Sequence, residues 1–151
     1  MLKGINPILS PELLKTLAEM GHGDEIILAD AHFPGHTFCK NIIRYDGIQI
    51  PNLLEGILPL FELDSYDDPL IMMDAVDGDE LDPTVEDSYL NVINRFTMTS
   101  SAVVRIDRFS FYERAEKAFC CIASNARDYA KFGNLYKDYG KWNKQIIIDS
   151  S

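Results

Sequence analysis

Apolar positions along this chain recur at helical spacing in several stretches, with short unbroken apolar runs between them. After Ser10-Pro11, the residues Leu13, Leu14, Leu17 and Ala18 return every three or four positions. A Ser followed by Pro is the chemistry of an N-cap and first turn, so the spacing predicts a short amphipathic helix that Gly21 stops. Residues 25–29 are too few and too uniformly apolar for a surface helix and predict a buried strand. Pro51 opens a second helix with Leu53, Leu54, Ile57 and Leu58, closed or kinked at Pro59. Residues 70–73 then read as a strand. Asp82-Pro83 begins a third helix with Val85, Tyr89, Val92 and Ile93 on one face, followed by a strand at 103–106. The alternation continues with a helix at 109–117, a strand at 119–123, and strand candidates at 133–136 and 146–148.

Such alternation selects an α/β fold with helices packed on a largely buried sheet and leaves the strand order open. The 151 residues fit a single domain over 1–151, a size that buries about 68–70% of the unfolded surface and needs no staple. No repeat, low-complexity tract or linker interrupts it. The acidic stretch 74–87 reads as a solvated loop and helix start, where anions suit the helix dipole. A formal charge of −10 opposes nucleic acid and anionic membrane surfaces alike, since both require clustered Lys and Arg. No apolar run approaches the roughly 18–20 residues of a membrane span, and the first residues lack the apolar core of a secretory signal, so a cytoplasmic protein is expected. The three cysteines read as small buried hydrophobes and not as a disulfide framework, with Cys120 and Cys121 inside an apolar run and Cys39 in no thiolate-stabilising setting.

Composition having narrowed the classes, titratable residues narrow the chemistry. Met20-Gly21-His22-Gly23-Asp24-Glu25 and Asp30-Ala31-His32-Phe33-Pro34 flank the first strand and place imidazoles and carboxylates beside a hydrophobic element, the pattern of a general acid with a polar clamp. There is no phosphate-cradling Gly-rich loop and no Gly-x-Ser-x-Gly elbow, which removes the main support for nucleotide and serine-hydrolase chemistry. His32, His36 and Asp30 resemble a ligand set, but Pro34-Gly35 breaks the helical i, i+4 face a metal site would use, so loop histidines are expected and no metal. Gly21 and Gly23 let the chain turn tightly and project His22 from a helix-to-strand corner; a histidine resting on the last helical carbonyls fits the same pattern. Asp30 lies just past the strand end, where open α/β sheets bind ligands, though an Asx turn would use the same residue. If residues 25–30 are extended their ends lie about 16 Å apart. His22 and Asp30 then meet one small ligand only if the strand is shorter or a second subunit completes the pocket.

His22-Gly23-Asp24-Glu25 with Asp30 and Pro34, Leu63-Asp64-Ser65-Tyr66, Arg105-Ile106-Asp107-Arg108-Phe109-Ser110-Phe111-Tyr112-Glu113-Arg114-Ala115 and Gly133-Asn134 together resemble the fucose mutarotase branch of the ribose pyranase and fucose mutarotase family, over nearly the whole chain and in order. The resemblance implies a three-layer α/β sandwich with a central mixed sheet flanked by helices. It also implies a cofactor-free, metal-free isomerase that interconverts the α and β anomers of L-fucose, and ring-shaped homo-oligomers of up to ten copies with pockets at subunit contacts. By motif position His22 is the proton donor, Asp64 and Tyr112 match positions implicated in activity, and Asp30, Met73, Arg108 and Asn134 match sugar contacts. The family's late Tyr-Gly-Asn is here Phe132-Gly133-Asn134, which keeps a ring for the sugar's C–H face and loses a phenol hydroxyl that Tyr129 could replace. Pyranose-to-furanose conversion of D-ribose, or sugar binding with reduced turnover, are the alternatives. An imidazole suits the implied reaction, because its ordinary pKa near 6.5 lets it give or take a proton at neutral pH.

Overall fold

The computed structural model describes residues 2–97 and 102–124, together with the backbone of 141–142 and 145–146. Helix α1, Pro11–Glu19, starts as its sequence dictates, with the Ser10 side chain accepting the amide proton of Leu13 at 3.1 Å. Its end differs from the reading above. Met20 is already extended, and the glycine with a left-handed backbone is Gly23, at φ 79°, not Gly21. The helix unwinds into a turn before strand β1, Ile26–Ala29.

Three elements escape the periodicity: the one-turn helix α2, Gly35–Phe38, strand β2, Ile42–Tyr45, and the two-residue strand Lys141–Trp142. The rest follow the pattern closely. Helix α3 spans Ile50–Ile57, β3 Ile71–Met73, α4 Pro83–Phe96, β4 Val104–Ile106, α5 Arg108–Lys117 and β5 Cys120–Ser124. Asp82 caps α4 and Asp107 caps α5, each carboxylate accepting first-turn amide protons. Short strands β6, Lys141–Trp142, and β7, Gln145–Ile146, pair antiparallel. The strand candidate at 133–136 lies outside the described residues.

Strand β5 lies at the centre of a parallel sheet, between β1 and β2, with Ile27 opposite Cys121 and Ile43 opposite Ile122. Parallel strands need crossover connections, and helices supply them on both faces. Side chains alternate across β5, so Cys120 and Ile122 enter a core with Leu13 of α1 and Leu53 and Ile57 of α3. Cys121 enters the opposite core with Ala115 and Phe111 of α5 and Phe38 of α2. Two cores on two faces of one sheet make the α/β sandwich that was expected, although the described strands of this sheet are all parallel where a mixed sheet was implied. A third cluster, built on Leu58, Val92 and Ile93, seats α4 against α3, and β3 and β4 form a separate parallel pair.

The cysteine reading requires correction: Cys39 and Cys121 form a disulfide across 82 positions, with Cα atoms 6.1 Å apart. Adjacent Cys120 and Cys121 face opposite cores, and Cys39 stands three residues before Ile42, which pairs directly with Cys121 in the sheet. That proximity is created by strand pairing and has no local sequence signal. Cys120 remains a buried free thiol.

Candidate active site

A broad cavity of about 1320 Å³ opens between β1, α3, β3 and α4. Drug-sized ligand pockets run to roughly 1,000 Å³, so this cleft exceeds what a small molecule needs and stays wide in the single chain. Its inner wall is apolar, from Leu54 and Leu58 of α3 and Ile93 of α4. Polar groups sit where the chain enters and leaves β1.

At the entrance, residues 21–24 form a four-residue turn. The Asp24 amide donates to the Gly21 carbonyl at 3.2 Å, and the Asp24 carboxylate accepts the Gly21 amide proton at 2.8 Å. Gly23 occupies the turn's third position, where a type II turn needs φ above zero. His22 is therefore presented at an exposed corner and lines the cavity. It lies beyond the last residue of α1, so the reading in which it rests on helical carbonyls gives way to the projecting one.

At the exit, Asp30 does two things. Its Oδ1 accepts the amide protons of His32 and Phe33 at 2.8 and 3.0 Å, the Asx turn considered above, while the residue also lines the cavity. With β1 only four residues long, the strand itself advances about 10 Å, and His22 and Asp30 border one space. Asp64 and Met73 border it as well. Asp64 is half-buried and accepts the Tyr66 amide proton at 2.8 Å. The Met73 carbonyl accepts from Arg105 Nη1 at 2.8 Å, and Arg105 is in turn paired with Glu86.

Two further candidates stand elsewhere. Tyr112 stacks on Phe38 with ring centroids 4.5 Å apart and lies 6.0 Å from Phe33, in the layer behind the cleft. Arg108 opens α5 at the surface with its guanidinium 5.0 Å from the Phe109 ring centroid. Neither lines the cavity within one chain. Phe132, Gly133 and Asn134 lie outside the described residues. Among the described residues, no three His, Cys, Asp or Glu side chains converge as a metal site would require, and no helix is long and apolar enough to cross a membrane.

The structure adds Glu25, Arg114, Phe33 and Phe111 to the cavity wall. Glu25 and Arg114 form an ion pair across 89 positions, Nε to Oε2 at 3.1 Å. Opposite charges within the motifs were visible in the sequence, but nothing local marked them as partners.

These features define an α/β sandwich with an open cleft along β1 that is bordered by an imidazole and carboxylates. The chain belongs to the RbsD / FucU transport protein family, whose model matches residues 3–138. It is 59% identical to the L-fucose mutarotases of two Haemophilus influenzae strains, 86-028NP and Rd, over 136 residues that cover 89% of this chain and 93% of each relative. Among solved structures it is similar to the fucose mutarotase of Streptococcus pneumoniae in complex with L-fucose, with a TM-score of 0.76 and 44% identity over 82% of this chain and 88% of that one. It is likewise similar to FucU of Bifidobacterium longum, with a TM-score of 0.77 and 41% identity over 85% and 93% of the two chains.

Proposed function

We propose that this chain is an L-fucose mutarotase, a sugar isomerase that exchanges the α and β anomers of L-fucopyranose. The observation that carries the reading is the 44% identity to a structure holding L-fucose, in a chain whose own cleft is bordered by His22, Asp30, Asp64 and Met73.

The residues supply a balanced, redox-neutral reaction. The anomeric hydroxyl gives its proton to a base as C1 and O1 become an aldehyde. The electron pair of the C1–O5 bond passes to the ring oxygen, which takes a proton from the His22 imidazole. Rotation about C1–C2 presents the other carbonyl face, and the reverse transfers close the ring as the opposite anomer. Positioned proton transfer of this kind typically contributes about 10² to 10⁴-fold. Asp64 is the base favoured by position, since it borders the cleft and Tyr112 does not. Asp30, its Oδ1 occupied by backbone amides, would offer Oδ2 to a sugar hydroxyl.

The finer reading includes a homo-oligomer with pockets at subunit contacts. Its support is the excess width of the cleft together with the surface position of Arg108 beside Phe109, an aromatic ring 67% exposed. A neighbouring copy covering that surface would bring the second set of sugar contacts to the site. Light scattering after size exclusion tests the assembly. Exchange NMR on L-fucose with and without protein tests the activity: faster α-to-β exchange is expected, and an unchanged rate would remove the enzyme reading.

A further inference from the structure

The His22 imidazole has no side-chain hydrogen bond among the described residues and stands exposed at a corner. The backbone position from which it projects is therefore set by the turn that carries it. The exit of that turn is fixed to the sheet, because Phe119 donates its amide proton to the Glu25 carbonyl at 2.9 Å and the Glu25 side chain is held by Arg114. Among the described residues, no comparable bond ties the entrance to the sheet. Met20 leaves α1 extended, and Gly21 contributes no side chain. A backbone bond from the Asp24 amide to the Gly21 carbonyl at 3.2 Å closes the turn, and one side-chain bond reinforces it, that from the Gly21 amide to Asp24 Oδ2 at 2.8 Å.

We infer that Asp24 is a positioning residue for the proton donor: its carboxylate clamps the turn and so fixes the backbone position from which His22 projects at the cleft. A bond from a backbone amide to a carboxylate is charge-assisted and directional, which suits it to hold an exposed turn that packing does not hold. A general acid must reach its proton acceptor within hydrogen-bonding distance, and displacements near 1 Å cost up to about 10²-fold in rate. The inference rests on His22 being the proton donor, as proposed above.

The test compares H22Q, D24A and D24N as full-length proteins, measuring the L-fucose exchange rate at saturation, the fucose dissociation constant by calorimetry and the thermal midpoint. Asn offers an oxygen where the carboxylate stood, so D24N is expected to stay within about threefold of the parent, while D24A loses about 10- to 100-fold in turnover. Fucose affinity in D24A should change by less than about twofold, since the sugar is held elsewhere. Full turnover in D24A would overturn the inference while leaving the function intact if H22Q is inactive. Equal damage in D24N and D24A would overturn it in favour of a role for the charge itself. Loss of affinity in step with turnover would make Asp24 a sugar ligand and likewise overturn it. Full activity in H22Q would remove both the donor assignment and the inference built on it.

Discussion

Arg114 of α5 grips Glu25 at the foot of β1 with two guanidinium nitrogens on two carboxylate oxygens, joining the helix behind the cleft to the strand that leads through it. The side chains are 35% and 41% exposed, so solvent screens the attraction and its worth to stability is at most about 1 kcal/mol. An R114M/E25Q double-mutant cycle by urea denaturation should return a coupling of that size or less. A coupling of several kcal/mol would mean that the pair is desolvated far beyond what its exposure indicates.

The disulfide from Cys39 to Cys121 ties the segment after α2 to the central strand. Closing so long a loop restricts the unfolded chain and typically stabilises by about 2–4 kcal/mol. Reduction under native conditions, or C39S, should lower the thermal midpoint accordingly, and the oxidised protein should show one thiol on denaturation. That thiol is Cys120, whose pKa is pushed up by burial and, secondarily, by the charge of Glu12, so it should react slowly while the chain is folded. Three titratable thiols in unreduced protein, with no response to reductant, would contradict the link.

Asp107 caps α5, and its pKa is lowered from the ordinary value near 3.8, first by the Ser110 hydroxyl and then by the Ser110 amide. The folded value lies below the unfolded one. The cap's contribution is therefore complete above about pH 4 and is lost as pH falls through the lowered folded value. Thermal midpoints between pH 2 and 7 should show a smaller acid-side decline in D107N than in the parent. Superimposable profiles would contradict the cap's titration.

Gly23 and Gly21 should respond differently to alanine. Gly23 has φ 79°, where a Cβ costs roughly 1–2 kcal/mol. Gly21 lacks a positive φ, and its added Cβ would meet Asp24 Oδ2 at 3.8 Å, an ordinary contact. G23A should be destabilised by about 1–2 kcal/mol in urea, and G21A by less than about 0.5 kcal/mol. The reverse order would mean that the turn is built otherwise.

Much of the fold was legible because the residues that begin helices are chemically explicit. Ser10-Pro11 and Asp82-Pro83 mark their helices to within a residue, and the apolar spacing after them names the buried faces. Strand β2 was not legible. Its run Ile42-Ile43-Arg44-Tyr45 is short and carries a charge on one exposed position, so periodicity gives it no weight, although Asp46-Gly47 behind it is a turn signal. At the site, His22, Asp30, Asp64 and Met73 could be named from motifs and do border one cleft. That they border one cleft was not visible, because the segments on either side of β1, the loop that carries Asp64 and the end of β3 supply them from separate parts of the chain. Arg108 and Tyr112 come from the 105–115 motif and stand outside the lining, and the partners Glu25 with Arg114 and Cys39 with Cys121 depend on pairings between distant elements.

The most direct test replaces the imidazole and watches the sugar. Exchange NMR on L-fucose at neutral pH, with parent and H22Q proteins at equal concentration and matched fold by circular dichroism, reads the anomer exchange rate above the uncatalysed background. Loss of His22 should remove at least about 10²-fold of the acceleration, as expected for a general acid. Undiminished exchange in H22Q would contradict the assignment of the proton donor to this residue.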